Sequence, residues 1–178
     1  MLEIIAYIAL LLAILAGALI SMASRRPDSF RYARTARIAA TPEQLFPLIA
    51  DLRQMNTWNP YALREKSGPG RYSEPASGPG AKYEFAGRKS GTGHIEILDA
   101  KPVSSVAMRL FMTKPFKADN RVDFTLKPEG PVTAVTWAMS GQQPLMAKIM
   151  TLIIDCDKMV GKDFDEGLGN LKAIAEKG

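Results

Sequence analysis

His94 and Glu96 stand two residues apart in Thr92–Ala100, where Ile95 and Ile97 alternate with them. A histidine beside a carboxylate is a pair that can move protons. A period of two puts both on one strand face, opposite Ile95 and Ile97, and that polar face turns to water. The pair therefore reads as surface, not as a catalytic dyad. Asp155, Asp157, Asp163, Asp165 and Glu166 crowd one stretch and suggest a cation site. Lys148, Lys158 and Lys162 are interleaved with them, so a solvated, ion-paired helix face is the simpler reading. Cys156 falls on the apolar stripe of that helix, as a buried thiol would. Ser104, Ser105 and Ser140 lack the Gly-x-Ser-x-Gly setting of an activated serine. Glu65 and Asn120 are candidates to orient a bound molecule, or else exposed strand-edge residues.

Composition narrows the chemistry further. His94 is the only histidine and Cys156 the only cysteine among 178 residues. Paired-His zinc sites, thiol clusters and intrachain disulfides are therefore excluded. No cofactor is expected. Net charge is +5, but no basic block interleaved with aromatics marks a nucleic-acid surface. Beside a membrane segment, the basic surplus suits anionic lipid better.

Such a segment opens the chain. Residues 4–23 hold ten Leu or Ile and no Asp, Glu, Lys, Arg or His. Twenty helical residues reach about 30 Å, the thickness of a hydrocarbon core. A cleaved signal peptide competes, since Ser21-Met22-Ala23 offers small residues. Only Met1, Leu2 and Glu3 precede the run, however, with no basic residue among them, and the run exceeds the usual apolar region of about 7–15 residues. An uncleaved single-pass anchor is the favoured reading. Arg25, Arg26, Arg31, Arg34 and Arg37 follow it, which predicts a cytoplasmic C-terminal domain. Ala9, Ala13 and Gly17 form a small-residue face, read as chance spacing in an Ala-rich span.

The predicted organisation is a span over 4–23, a linker over 24–31 and one domain over 32–177. Tyr32–Ala39 reads as a strand. Thr41-Pro42-Glu43-Gln44 is a helix start, with Thr at the N-cap and Gln three residues on. A second short helix covers Leu52 to Thr57, stopped by Asn59-Pro60. Tyr61–Lys66 reads as a strand, and Ser67 to Gly80 as a long Gly/Pro-rich loop. Neither Gly-Pro-Gly in that loop leads into the Gly-Lys-Ser/Thr of a phosphate loop. Five alternating strands follow: Ala81–Gly87, Thr92–Ala100, Ser104–Met112, Ala118–Lys127 and Val132–Ser140. Apolar residues from Leu145 to Ile174 then recur at three and four, predicting one long terminal helix.

This order resembles the helix-grip fold of the START and polyketide cyclase/dehydrase superfamily, SRPBCC. The words that carry the likeness are Ile38-Ala39-Ala40-Thr41-Pro42-Glu43-Gln44-Leu45-Phe46, Asp51 with Trp58-Asn59-Pro60, and Gly91-Thr92-Gly93. Thr133-Ala134-Val135-Thr136-Trp137 and Gly161-Lys162-Asp163-Phe164-Asp165-Glu166-Gly167-Leu168 complete them. The resemblance implies an α+β fold: a seven-stranded curved antiparallel sheet wrapped on a long C-terminal helix. It also implies an apolar cavity between sheet and helix.

The inward side chains follow from the alternation: Tyr83, Phe85, Ile95, Met108, Leu110, Phe124, Trp137 and Met139. Ile149, Ile153 and Met159 would face them from the helix, with Trp58 at the mouth. A filled core of the same residues is the competing reading, ranked behind the pocket. The expected function is a membrane-anchored, non-enzymatic binding domain for a lipid or other apolar small molecule. A cyclase- or dehydratase-type enzyme on a hydrophobic substrate ranks second, because no inward acid–base pair is visible. A structural module with a filled core is the third reading.

Overall fold

The computed structural model describes residues 1–65, 68 and 70–177. Lys66, Ser67 and Pro69, which the sequence placed at a strand end and in the Gly/Pro loop, lie outside the described residues. The chain forms two compact units. One joins Met1–Phe30 to Gln142–Cys156, and the other joins Arg31–Gly141 to the chain from Asp157 onward.

The larger unit is built on a seven-stranded antiparallel sheet. Its strands are β1 (Ser29–Ile38), β2 (Arg71–Tyr72), β3 (Lys82–Gly87), β4 (Gly91–Lys101), β5 (Ser105–Lys114), β6 (Ala118–Glu129) and β7 (Val132–Gln142). The order is β1-β7-β6-β5-β4-β3-β2, so β2 to β7 form a meander and β1 joins its far edge. Short connections make that meander the natural product of these sequences. The register shifts between Ile97 and Asp99 on β4, an irregularity of the kind that bends a strand.

Helix α1 covers Leu2–Ser24 and belongs to the smaller unit. It is the helix, among the described residues, long and apolar enough to cross a membrane. Helix α2 (Pro42–Ala50) starts as its sequence dictates, with Thr41 and Gln44 forming a capping box and Pro42 in the first turn. The Gln44 carbonyl oxygen accepts from the Thr41 amide at 2.9 Å. Asp51 caps α3 (Leu52–Met55), accepting from the Arg53 and Gln54 amides.

Three expectations are corrected. Asn59-Pro60 starts a helical turn as well as ending one. Asn59 caps α4 (Pro60–Leu63) by accepting from the Tyr61 amide at 3.1 Å, so Tyr61 begins no strand. Asn at the cap and Pro at the first position suit a helix start. The strand instead lies later, as the two-residue β2 inside the expected loop. The terminal helix is two helices, α5 (Leu145–Ile153) and α6 (Cys156–Ala175). Ile154 is extended, with φ −118° and ψ 130°. Asp155, a residue type that favours helix starts, stands immediately before α6.

Helix α6 buries Gly161, Phe164, Gly167, Leu168 and Leu171, one stripe at three- and four-residue spacing. Gly167 permits the close approach. A Cβ there would sit 2.6 Å from Trp137 Cζ3 and 2.9 Å from Pro60 Cδ. At Gly161 a Cβ would collide with the Arg34 guanidinium. That guanidinium bridges β1 to α6 through Asp157 at 3.2 Å and Asp165 at 3.7 Å.

Candidate functional site

The sheet pairing sets one continuous row of side chains. Tyr83 on β3 registers with Ile95 on β4, Ile95 with Leu110 on β5, and Leu110 with Asn120 on β6. A second line runs from Met108 through Val122 to Met139, and a third from Val106 through Phe124 to Trp137. Residues in register share a face, so alternation along each strand becomes one apolar wall. Above that wall lies a cavity of about 1000 Å³. Its lining residues all belong to the larger unit.

The deep part of the cavity is aromatic. Phe124, Trp137 and Phe164 line it, and the Trp137 ring stacks on Phe164 at 4.3 Å and 11°. Trp58 stands edge-on to Phe124 at 5.8 Å and to Trp137 at 5.7 Å. Tyr83 extends the aromatic surface toward β2, 4.6 Å from the Tyr72 ring. Its hydroxyl accepts from the Gly70 amide at 3.2 Å, and burial raises its pKa above the usual tyrosine range.

Tyr83, Phe85, Ile95, Leu110, Phe124, Trp137 and Met139 all line the cavity. Trp58 and Met108 do not; both are fully buried in the core. Trp58 is held there by its Nε1, which donates to the Leu48 carbonyl at 2.8 Å, and by Asn170, which donates to the Trp58 carbonyl at 3.1 Å. Ile149 and Ile153 sit on α5, in the smaller unit, and Ile153 is exposed. Met159 on α6 is exposed as well. The break at Ile154 and Asp155 explains Ile149 and Ile153, because it interrupts the periodicity that had aligned them, while Met159 lies on the face of α6 away from the Phe164–Leu168–Leu171 stripe.

The polar candidates resolve into structural ties. Glu65 lines the cavity and accepts from the Lys89 and Ser90 amides and from Ser90 Oγ at 3.0–3.2 Å. It thereby fastens the β3–β4 turn. Asn120 also lines the cavity, its amide nitrogen 3.9 Å from Met139 Sδ. His94 borders the cavity, but its ring packs on Phe111 at 5.4 Å. Glu96 pairs separately with Lys82 at 3.4 Å. The carboxylates of α6 are matched by arginines from elsewhere: Arg64 holds Asp163 at 2.6 Å and also Glu166. Cys156 is half-buried at the start of α6 and not sunk in the core. Among the described residues, no group of three or more His, Cys, Asp or Glu could hold a metal ion.

Tyr61, Val122 and Phe164 are lining residues that sequence reasoning left out of the site. For Phe164 the signal was present, since it sits one turn from Gly161 and Leu168 on the buried stripe. Tyr61 was hidden by its assignment to a strand. Burial, then the neighbouring Asp163 carboxylate and its hydrogen bond, push the Tyr61 hydroxyl far above the ordinary tyrosine pKa, against the Arg64 charge. Its folded pKa is raised, so its contribution to stability is complete below the ordinary tyrosine range and is lost as pH climbs through and beyond it. Absorbance titration near 295 nm should therefore show a tyrosine that stays protonated until alkaline unfolding. Tyr61→Phe should shrink that late component by one tyrosine, leaving the part due to Tyr83; an unchanged amplitude in the variant would refute the assignment.

Residues 29–176 match the family described as polyketide cyclase / dehydrase and lipid transport. The chain belongs to this family. The Polyketide cyclase / dehydrase and lipid transport fold extends across solved structures of low identity. Protein MLL2253 from Mesorhizobium loti is similar at 14% identity and TM-score 0.61, covering 83% of this chain and 98% of its own. The Aha1 dimer from Colwellia psychrerythraea is similar at 15% and 0.59, covering 83% and 96%. Protein CV1439 from Chromobacterium violaceum is similar at 17% and 0.58, covering 84% and 99%. At these identities the likeness is one of fold, and it supports the helix-grip, SRPBCC-type architecture. The sequence itself matches no curated protein.

Proposed function

We propose that this polyketide cyclase / dehydrase and lipid transport family member is a membrane-tethered, non-enzymatic binding domain for a hydrophobic small molecule or lipid. The observation that carries the reading is the cavity of about 1000 Å³ walled by the Tyr83–Ile95–Leu110 row and by Phe124, Trp137, Met139 and Phe164. That volume is at the upper end of the roughly 300–1,000 Å³ of small-molecule sites. Burial of apolar area, at about 25 cal/mol per Å², supplies the affinity. Three ionisable groups at or beside the cavity are engaged in holding the fold, which favours binding over proton chemistry: Glu65 holds a turn, Tyr61 sits beside Asp163, and Arg64 is committed to two carboxylates. Two lining atoms, Asn56 Oδ1 and Trp137 Nε1, are buried without a hydrogen-bond partner among the described residues and can meet a polar atom of the bound molecule.

The tether is α1. Its length and composition suit a hydrocarbon core. Ala23, near its C-terminal end, is fully buried, and α1 packs on α5, so removing α1 as a signal peptide would strip a packed surface. Arg25 and Arg26 follow directly and favour a cytoplasmic body.

Native mass spectrometry of the detergent-solubilised full chain tests the reading. The expected result is a co-purified lipid or apolar metabolite on a chain that retains residues 1–24. Unliganded protein from several hosts, together with failure to take up added lipid, would overturn it. Protease accessibility in spheroplasts reads the side of the membrane on which the body lies.

A further inference from the structure

Helix α5 is amphipathic in the reverse sense. Its polar side chains turn inward: Lys148 is only 7% exposed, and its Nζ lies 2.5 Å from Asp28 Oδ1. Thr151 Oγ1 donates to the Lys148 carbonyl at 2.8 Å and accepts from Nε2 of the buried Gln143 at 3.2 Å. Its outward side chains are apolar. Met146 is 71% exposed, Met150 44% and Ile153 75%. A spacing of four and then three places these on one stripe, with exposed Leu145 and Ile154 beside it. A helix facing water carries the opposite arrangement, and a lysine is rarely buried while three large apolar groups on the same helix stay out.

The same unit supplies the reason. Helix α5 packs on α1, and the chain just past α1 is pinned to the start of α5. Asp28 holds Lys148 through its carboxylate and accepts from the Gln143 amide through its carbonyl, at 2.7 Å. The sides of α1 are themselves apolar and exposed from Ile4 to Met22, and the outward stripe of α5 adds to the exposed apolar surface of the same unit. Arg25 and Arg26, between the two, suit the headgroup level. A protein partner fits less well. Nine residues of helix offer far less than the roughly 800 Å² that each partner gives to a stable interface.

We propose that α5 is an interfacial membrane helix, lying at the bilayer surface beside α1 with Met146, Met150 and Ile153 sunk into the acyl-chain boundary. This rests on the reading that α1 crosses the membrane. Such helices sit about 5–10 Å into the boundary between headgroups and chains. The membrane contact is then two residues in the chain from α6, which carries Phe164.

Spin labels on the full chain test the proposal. In a Cys156→Ser background, single cysteines replace Met146, Met150 or Ile153, with Leu12→Cys as a span control and Lys162→Cys as a water control. The protein is reconstituted in phosphatidylcholine–phosphatidylglycerol bilayers, and collisions with oxygen and with a water-soluble nickel chelate are compared. The expected result is an oxygen-to-nickel ratio several-fold higher at the three α5 sites than at residue 162. A water-like ratio on α5 with a lipid-like ratio at residue 12 would overturn the α5 proposal and leave the anchor standing. A water-like ratio at residue 12 would overturn both. Labels on α5 shielded from both reagents, with dipolar broadening between molecules, would assign the stripe to a second copy instead.

Discussion

Trp58→Ala will destabilise the larger unit by about 3–5 kcal/mol, the range for truncating a buried large aromatic. The indole is fully buried and sits where three parts of the fold meet. Its ring meets Phe124 and Trp137 edge-on, contacts worth about 0.5–1.5 kcal/mol each beyond burial. Its Nε1 satisfies the Leu48 carbonyl of α2, and its own carbonyl receives Asn170 of α6. Truncation leaves a void between α2, the sheet and α6, and it orphans the Leu48 carbonyl. Against a total stability of about 5–15 kcal/mol, the loss is a large fraction. Urea unfolding followed by circular dichroism measures it. Trp58→Phe separates the two contributions, since it keeps a ring and loses the hydrogen bond, at a cost of about 1–2 kcal/mol. A loss below 1 kcal/mol in the alanine variant would show that Trp58 is not a keystone of this core.

Trp58 also shows where the sequence is legible and where it is silent. Alternation assigns a face but not a height on that face. Ile95 and Leu110 register with each other and line the cavity, whereas Ile97 and Met108 register with each other one step along the same strands and are solid core. Nothing in the spacing separates the two pairs, because both point the same way. What separates them is which helices lie above, and that is a tertiary property. The strands themselves were readable, since period-two patterns such as Val122, Phe124 and Leu126 have one structural meaning. The Thr41 start was readable because a capping box is local chemistry. Asn59-Pro60 was misread because the same dipeptide ends one helix and caps the next. The break at Ile154 and Asp155 escaped because apolar spacing continues across it, and that continuity aligned Ile149 and Ile153 with residues of the other unit. The reversed pattern of α5 was invisible for a related reason. An apolar stripe does not say whether it turns into the protein or away from it, and only the burial of Lys148 shows that this one turns outward.

Leu110→Asp will weaken ligand affinity by about 100-fold while the protein remains folded. Leu110 lies mid-row between Ile95 and Asn120 and is only partly buried, its side chain lining the cavity. In the ligand-free protein a carboxylate there can be hydrated by water in the cavity, so the fold is spared most of the penalty. A bound apolar molecule must displace that water. Stripping an unpaired carboxylate costs several kcal/mol in practice, and about 2.7 kcal/mol already corresponds to 100-fold in affinity. Leu110→Asn, polar but uncharged, should lose less, because an amide carries a smaller desolvation penalty of about 1–3 kcal/mol. The fraction of full-length protein carrying a co-purified lipid in native mass spectra provides the readout, with circular dichroism as the fold control. The ordering wild type, Leu110→Asn, Leu110→Asp is the signature of an apolar ligand held against this wall. Equal occupancy in all three would place the ligand elsewhere. Tighter binding in the aspartate variant would mean that the cavity takes a cation, and the apolar-ligand reading would fall with it.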